Sequence, residues 1–270
     1  MGRDDSSARP LLPRQNQDAM QSLVQSTCPA SRLQLAPHVR ACESDGQVIL
    51  LDLRRSKYIA IGGRQLSVLA HAVDGWPASD AAVNESMNES DIATLTKPLL
   101  AQGLLTPRPI ERSTAPSRAA AIEEASVSLD AEDAMQDAPV GAARVVRMVR
   151  SAAVTATWLR WHSLLSIARA VAARRARCDT SYQKPDSPQA LLAEVAAYEK
   201  LRPLLFTTRD RCLHDSLTLV GFLAAAGIFP RWVIGVQTRP FGAHSWVQSG
   251  ATVLNDHADR VRRFRPILVV

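Results

Sequence analysis

Short apolar runs separated by turn residues dominate the chain from about Arg32 to Pro107. VRAC and QVILLDL flank ESDG, the pattern of a hairpin. LRRS gives a second turn, and KYIAIG a third short strand. The pattern then changes period: in RQLSVLAHAV, Leu66, Leu69, Ala70 and Val73 fall on one helical face. GWP stops that helix. A second helix is expected over Ala78 to Met87, and a third from an Asp91 cap to Gln102, with Gly103 as its stop. Three small strands followed by three helices predict a winged-helix-like module over residues 31–107. Residues 1–30, rich in Ser, Arg, Gln and Pro, read as a flexible N-terminal arm.

Residues 108–140 are Ala, Ser, Pro, Glu and Asp with little periodicity. They read as a linker, with room for one acidic helix at Ala119 to Met135. A second domain is expected over 141–270. Val145 to Arg177 predicts a long basic amphipathic helix or a helix pair, its Val, Leu and Trp face packed on a core. A further helix is expected from Pro188 to Leu201. Leu213, Leu217, Val220 and Ala224 predict a helix that starts at Cys212 and ends at Gly227 and Pro230. Arg231 to Val236 reads as a strand, TRPFGA as a loop, HSWVQ as a second strand, SGA as a turn and TVLND as the returning strand. The fold class is α+β.

Hydrophobic residues make up 46% of the chain and charged residues 21%, a balance that folds. The net charge of +6 is spread rather than gathered in one dense run. It therefore does not single out nucleic acid, and an acidic peptide or protein partner fits equally well. The four cysteines show no CxxC spacing, so no zinc or thioredoxin-type motif is indicated, and no metal or cofactor is expected. The segment MGRDDSSARPLLPRQNQ has no apolar signal-peptide core, which gives a cytoplasmic expectation with reduced thiols. The most membrane-like stretch, Ser151 to Ala173, is broken by Arg160, His162 and Arg169 and reads as a helix in water.

The candidate chemistry lies near the C-terminus. A helix N-terminus carries partial positive charge and free N–H groups, which suit Cys212 as a thiolate nucleophile. Set against this, a free cysteine is often simply buried in a core. His214 is a poor base, because two residues on a helix point roughly 200° apart. His244 is the candidate base. Opposed residues in a hairpin keep a constant sum of numbers. An odd-length loop centred on Gly250 sets Asp256 opposite His244, with Cβ atoms ~4.5–5.5 Å apart. A slip of one residue sets Asn255 there instead, and Asp259 is a third choice. Either Asp or Asn can orient a catalytic imidazole. Trp246 shares the strand face of His244, where it either shapes a cleft or packs in the core. His38 and His257 read as surface residues.

The order of these parts resembles the transglutaminase-like branch of the papain superfamily. RDRCLHDSLTL, IGVQTRPFGAHSWVQ and LND are similar to segments of the lasso-peptide biosynthesis B protein family. The shared signature is Cys-Leu-x-x-Ser, then Gly-Val-x-x-x-Pro-Phe-x-Ala-His-x-Trp-Val, then Leu-Asn-Asp, best covered over Leu201 to Asp256. GQVILLDLRRSKYIAIGG is similar, less specifically, to the strand pair of a PqqD-like recognition element for ribosomal peptides.

The resemblance implies a cysteine leader peptidase fused to its recognition domain, with Cys212, His244 and Asp256 as the triad and no cofactor. It also implies a lasso precursor as substrate, its leader adding as a strand beside Lys57, Tyr58, Ile59, Ala60 and Ile61. A separate asparagine synthetase-like cyclase, using ATP, would act on the freed core. Two other classes stay open: a transglutaminase or acyltransferase on a peptide, and a non-catalytic leader-binding adaptor. Winged-helix modules also bind DNA, so a regulator is a further possibility for the front half alone.

Overall fold

The structure is a computed structural model and describes residues 33–77, 89–107, 122–129, 140–179, 188–204 and 212–270. It is a mixed α+β arrangement of helices and three small sheets. The front half holds β1 (Leu33–Leu35), β2 (Val39–Ser44), β3 (Gln47–Asp52), β4 (Lys57–Gly62), α1 (Arg64–Ala72), β5 (Val73–Asp74), α2 (Glu89–Ala101) and β6 (Leu105–Pro107). Strands β2, β3 and β4 form one antiparallel sheet, and β1 bridges β5 and β6 in another. Ser44 pairs with Gln47, so Asp45 and Gly46 make a two-residue turn. Both have positive φ, 49° and 72°, as a tight hairpin turn requires. The helix expected over Ala78 to Met87 lies outside the described residues.

Strand β3 explains the near-continuous apolar run QVILLD. Val48 and Leu50 face a front core with Leu69, Leu99 and Leu105. Ile49 and Leu51, with Leu53 just beyond the strand, face the other way. They join a larger core that contains Tyr198, Phe222, Trp232 and Val247. A strand buried on both faces cannot alternate apolar and polar residues. The front sheet is therefore packed directly on the second half, and the Leu165 N–H donates to the Leu53 carbonyl at 2.8 Å across that border.

The second half holds β7 (Val127–Ser128), α3 (Ala142–Trp161), α4 (Leu164–Asp179), α5 (Pro188–Leu201), α6 (Cys212–Ala224), β8 (Arg231–Thr238), β9 (Phe241–Ser249), β10 (Thr252–Val253), α7 (Ala258–Val261) and β11 (Arg265–Val269). Its sheet runs β11-β8-β9-β10-β7. Two expectations need correction. The acidic helix expected at Ala119 to Met135 is absent from the described part, 122–129, where β7 instead pairs with β10. There Ile122 and Ala125 pack on Trp246, and backbone N–H groups of Ser126 and Leu129 bond to Ala251 and Val253. His38 is not a surface residue: it is 6% exposed, with its ring near Asp52. Strand β11 was not anticipated.

Helix α6 is buried on most of its circumference. Gly221 lets α3 cross it closely: a Cβ there would collide with the Ser151 hydroxyl, which donates to the Thr218 carbonyl at 2.7 Å. The helix is thus wedged between α3 and the sheet. Among the described residues no helix is long and apolar enough to cross a membrane, and Ser151 to Ala173 is divided between α3 and α4.

Candidate active site

Cys212 opens α6 and is half-buried. His244 sits on β9, with 6% of its surface exposed. Its Nε2 lies 2.5 Å from Asp256 Oδ2, and it also hydrogen-bonds the Cys212 sulfur. With Nε2 committed to the carboxylate, Nδ1 is left for the thiol. The structure thus brings Cys212, His244 and Asp256 into one hydrogen-bonded row.

The sheet edge explains how the sulfur reaches the ring. Strand β10 ends at Val253, so β9 has no strand partner beyond Val247 on that side. Two N–H groups on this open edge receive side-chain acceptors instead. Val247 N–H donates to Asn255 Oδ1 at 2.9 Å, and Ser245 N–H bonds the Cys212 sulfur. The Leu213 N–H, at the mouth of α6, bonds the same sulfur.

Electrostatics follow from this packing. Burial opposes the Cys212 thiolate, but the His244 hydrogen bond and charge, with the Ser245 and Leu213 N–H groups, outweigh it and hold the thiol below its ordinary value. Burial also opposes charge on His244. The hydrogen bonds to Asp256 and Cys212 and their negative charges overcome it, and its pKa is raised to about 9. Burial would raise the Asp256 carboxyl, but bonds from His244 and the His257 N–H carry it below its ordinary value. Both shifts, the thiol down and the imidazole up, act in the direction of a thiolate–imidazolium pair. Cys42 shows the contrast: burial pushes its thiol up to about 12.

The expected register was wrong although the expected neighbour was right. Thr252 pairs with Ser249 and Val253 with Gln248, so the turn is the two residues Gly250 and Ala251 rather than an odd loop. Straight pairing would set His257 opposite His244. Instead the chain leaves the ladder after Val253 and bends, and the bend delivers Asp256 to the ring. Asn255 turns the other way. Its Nδ2 donates to Asp215 Oδ2 at 3.0 Å and to Ser216 Oγ at 3.2 Å. Asp215, 4% exposed, also accepts from the Tyr198 hydroxyl at 2.8 Å and pairs with Arg202 at 3.1 Å. Asn255 is therefore a clamp that fixes α6 against the bend carrying Asp256. That role belongs to the Ser216 and Asn255 positions of the sequence signature and was not anticipated for either. Asp259 pairs with Arg262 and lies outside this row. His257 is exposed, and His214 is on α6 beyond Cys212.

Aromatic rings hold the imidazole in place. Trp246, 2% exposed, stacks near His244 with centroids 6.2 Å apart, and Phe264 packs at 5.1 Å. Trp246 is thus buried packing behind the base, and the role of Phe264 was not anticipated. Gly235 pairs with His244 across the β8–β9 ladder. A Cβ there would lie 2.8 Å from the Trp246 ring and 2.9 Å from Phe264 Cβ. Gly235→Ala is expected to cost about 1–3 kcal/mol by overpacking and to slow Cys212 alkylation by displacing the ring behind His244. Thermal denaturation beside alkylation rates measures both.

Lys57 to Ile61 lie on β4, an edge strand of the front sheet. Among the described residues there is no cluster of three or more His, Cys, Asp or Glu side chains placed to hold a metal.

Comparison with known proteins finds similarity in the second half of the chain. Residues 152–269 match the transglutaminase-like superfamily. The Microcin J25-processing protein McjB of Escherichia coli is 44% identical over 48 residues, a stretch spanning 18% of this chain and 23% of that protein. No solved structure matches the chain. The chain carries, over residues 152–269, a transglutaminase-like domain.

Proposed function

We propose that this chain is a cysteine peptidase that binds the leader of a ribosomally made lasso precursor and cuts it off. The observation that carries the reading is the row Cys212–His244–Asp256, with the thiol lowered and the imidazole raised to about 9. The transglutaminase-like match and the partial similarity to a microcin-processing protein support the same class of chemistry.

In this mechanism the Cys212 thiolate attacks the scissile carbonyl carbon and forms a tetrahedral oxyanion. The imidazolium of His244 gives its proton to the leaving amine, which departs as the free core N-terminus. The neutral ring then takes a proton from water as the oxygen attacks the thioester. Collapse releases the leader carboxylate and restores the thiolate–imidazolium pair. Asp256 keeps the ring oriented and stabilises its charge at each stage. The front half, read as a PqqD-like recognition element, would hold the leader along the open edge of β4 and raise the local concentration of the scissile bond. The freed core would pass to a separate ATP-dependent cyclase.

The test is incubation of the purified chain with the precursor peptide encoded beside its gene, read by mass spectrometry. Hydrolysis gives leader and core whose masses sum to the precursor plus one water. Two peptides joined with loss of an amine would instead mark acyl transfer, and an intact precursor would mark an adaptor.

A further inference from the structure

Two aromatic rings meet where the front sheet touches the β8–β9 hairpin, whose second strand carries His244. On β4, Ile59 and Ile61 turn into the front core, whereas Tyr58 turns the opposite way and packs on the large core of the second half. Its ring meets Phe241 edge-on, with centroids 5.7 Å apart and planes at 65°. Phe241 opens β9, three residues before His244, and is 55% exposed. Thr238, its partner across the β8–β9 hairpin, bonds to Asp45 in the β2–β3 turn, which fixes the hairpin tip to the front sheet. Burial pushes the Tyr58 hydroxyl up to about 12, helped by the negative charge of Cys212, so the phenol lies within electrostatic reach of the sulfur. Beside Tyr58 on the same strand face, Ala60 is small and exposed, leaving the wall open.

We propose that Tyr58 and Phe241 form a substrate subsite, continuous with the β4 edge, that takes a bulky apolar side chain of the peptide just ahead of the scissile bond. The proposal rests on the peptidase reading and adds a specificity element to it. An apolar exposed ring set edge-on against a half-buried phenol presents two ring surfaces and little charge. That chemistry favours an aromatic or branched aliphatic side chain over a polar one. A peptide strand added antiparallel to β4 also ends at the strand end that carries Tyr58, which leads its C-terminal side toward Cys212.

The probes are two alkylating reagents, iodoacetamide and its N-benzyl derivative, applied at pH 6 and read at the Cys212 peptide by mass spectrometry. Each rate is divided by the same reagent's rate with glutathione. In the unaltered chain the benzyl reagent is expected to be favoured. Phe241→Ala and Tyr58→Ala are each expected to lower the benzyl-to-plain ratio about five-fold, the scale of one aromatic contact. Phe241 is exposed at a hairpin tip, so its variant keeps the test decisive should Tyr58→Ala fail to fold. A ratio unchanged in Phe241→Ala overturns the subsite. Plain iodoacetamide reacting no faster at Cys212 than with glutathione is a different result: it defeats the peptidase reading on which the subsite rests.

Discussion

Cys212→Ala is expected to lower the rate of precursor cleavage by about 10⁴-fold or more, to the background of the assay, while leader peptide still binds within about two-fold. No other described side chain stands ready to replace the sulfur. Cys42 lies on β2 with its thiol pushed up to about 12, which leaves it protonated at neutral pH. The proposed leader site lies on β4, whose edge does not depend on the thiol. Turnover by mass spectrometry and anisotropy of a labelled leader peptide separate the two effects. Cleavage retained in the variant would move the nucleophile elsewhere.

Asp256→Ala is expected to reduce kcat by about 10²–10⁴-fold with a small change in KM. The loss has two parts. The ring is no longer held with Nδ1 toward the sulfur, and its charged form loses the hydrogen bond that does most to raise its pKa. The alkaline limb of the pH–rate profile, set near 9 by His244 in the unaltered chain, should therefore move to lower pH. A merely structural loss would leave that limb in place. Asn255→Ala acts by another route. It frees the Val247 N–H and unties α6 from the bend, so its main effect is expected in the melting temperature.

The helices were legible because their signals are local. Proline at the start of α5 and the apolar repeat of α6 fix those elements without help from the rest of the chain. Cys212 and His244 followed from element order, since a helix mouth and the strand after it are set by sequence alone. The route to Asp256 was not legible. It depends on a two-residue turn and on a strand that stops after Val253, beyond which Asn255 bonds to Asp215 on α6, a partner 40 residues away. Strand β7 and the buried His38 were missed for a related reason. Their environment is supplied by distant partners, Thr252 and Val253 for the strand and Asp52 for the ring. The apolar run in β3 was read as a strand, but its second buried face shows only once the front sheet is docked.

The central claim is that Cys212 is an ion-paired thiolate held by His244. The most direct measurement is the pH dependence of iodoacetamide reaction at Cys212, resolved by mass spectrometry from pH 4 to 10. The account predicts a rate that rises below the ordinary thiol range and stays level up to about 9, where His244 gives up its proton. In His244→Ala the rise should shift to the alkaline side. A single rise at ordinary thiol pH in the unaltered chain, unmoved by His244→Ala, would contradict it.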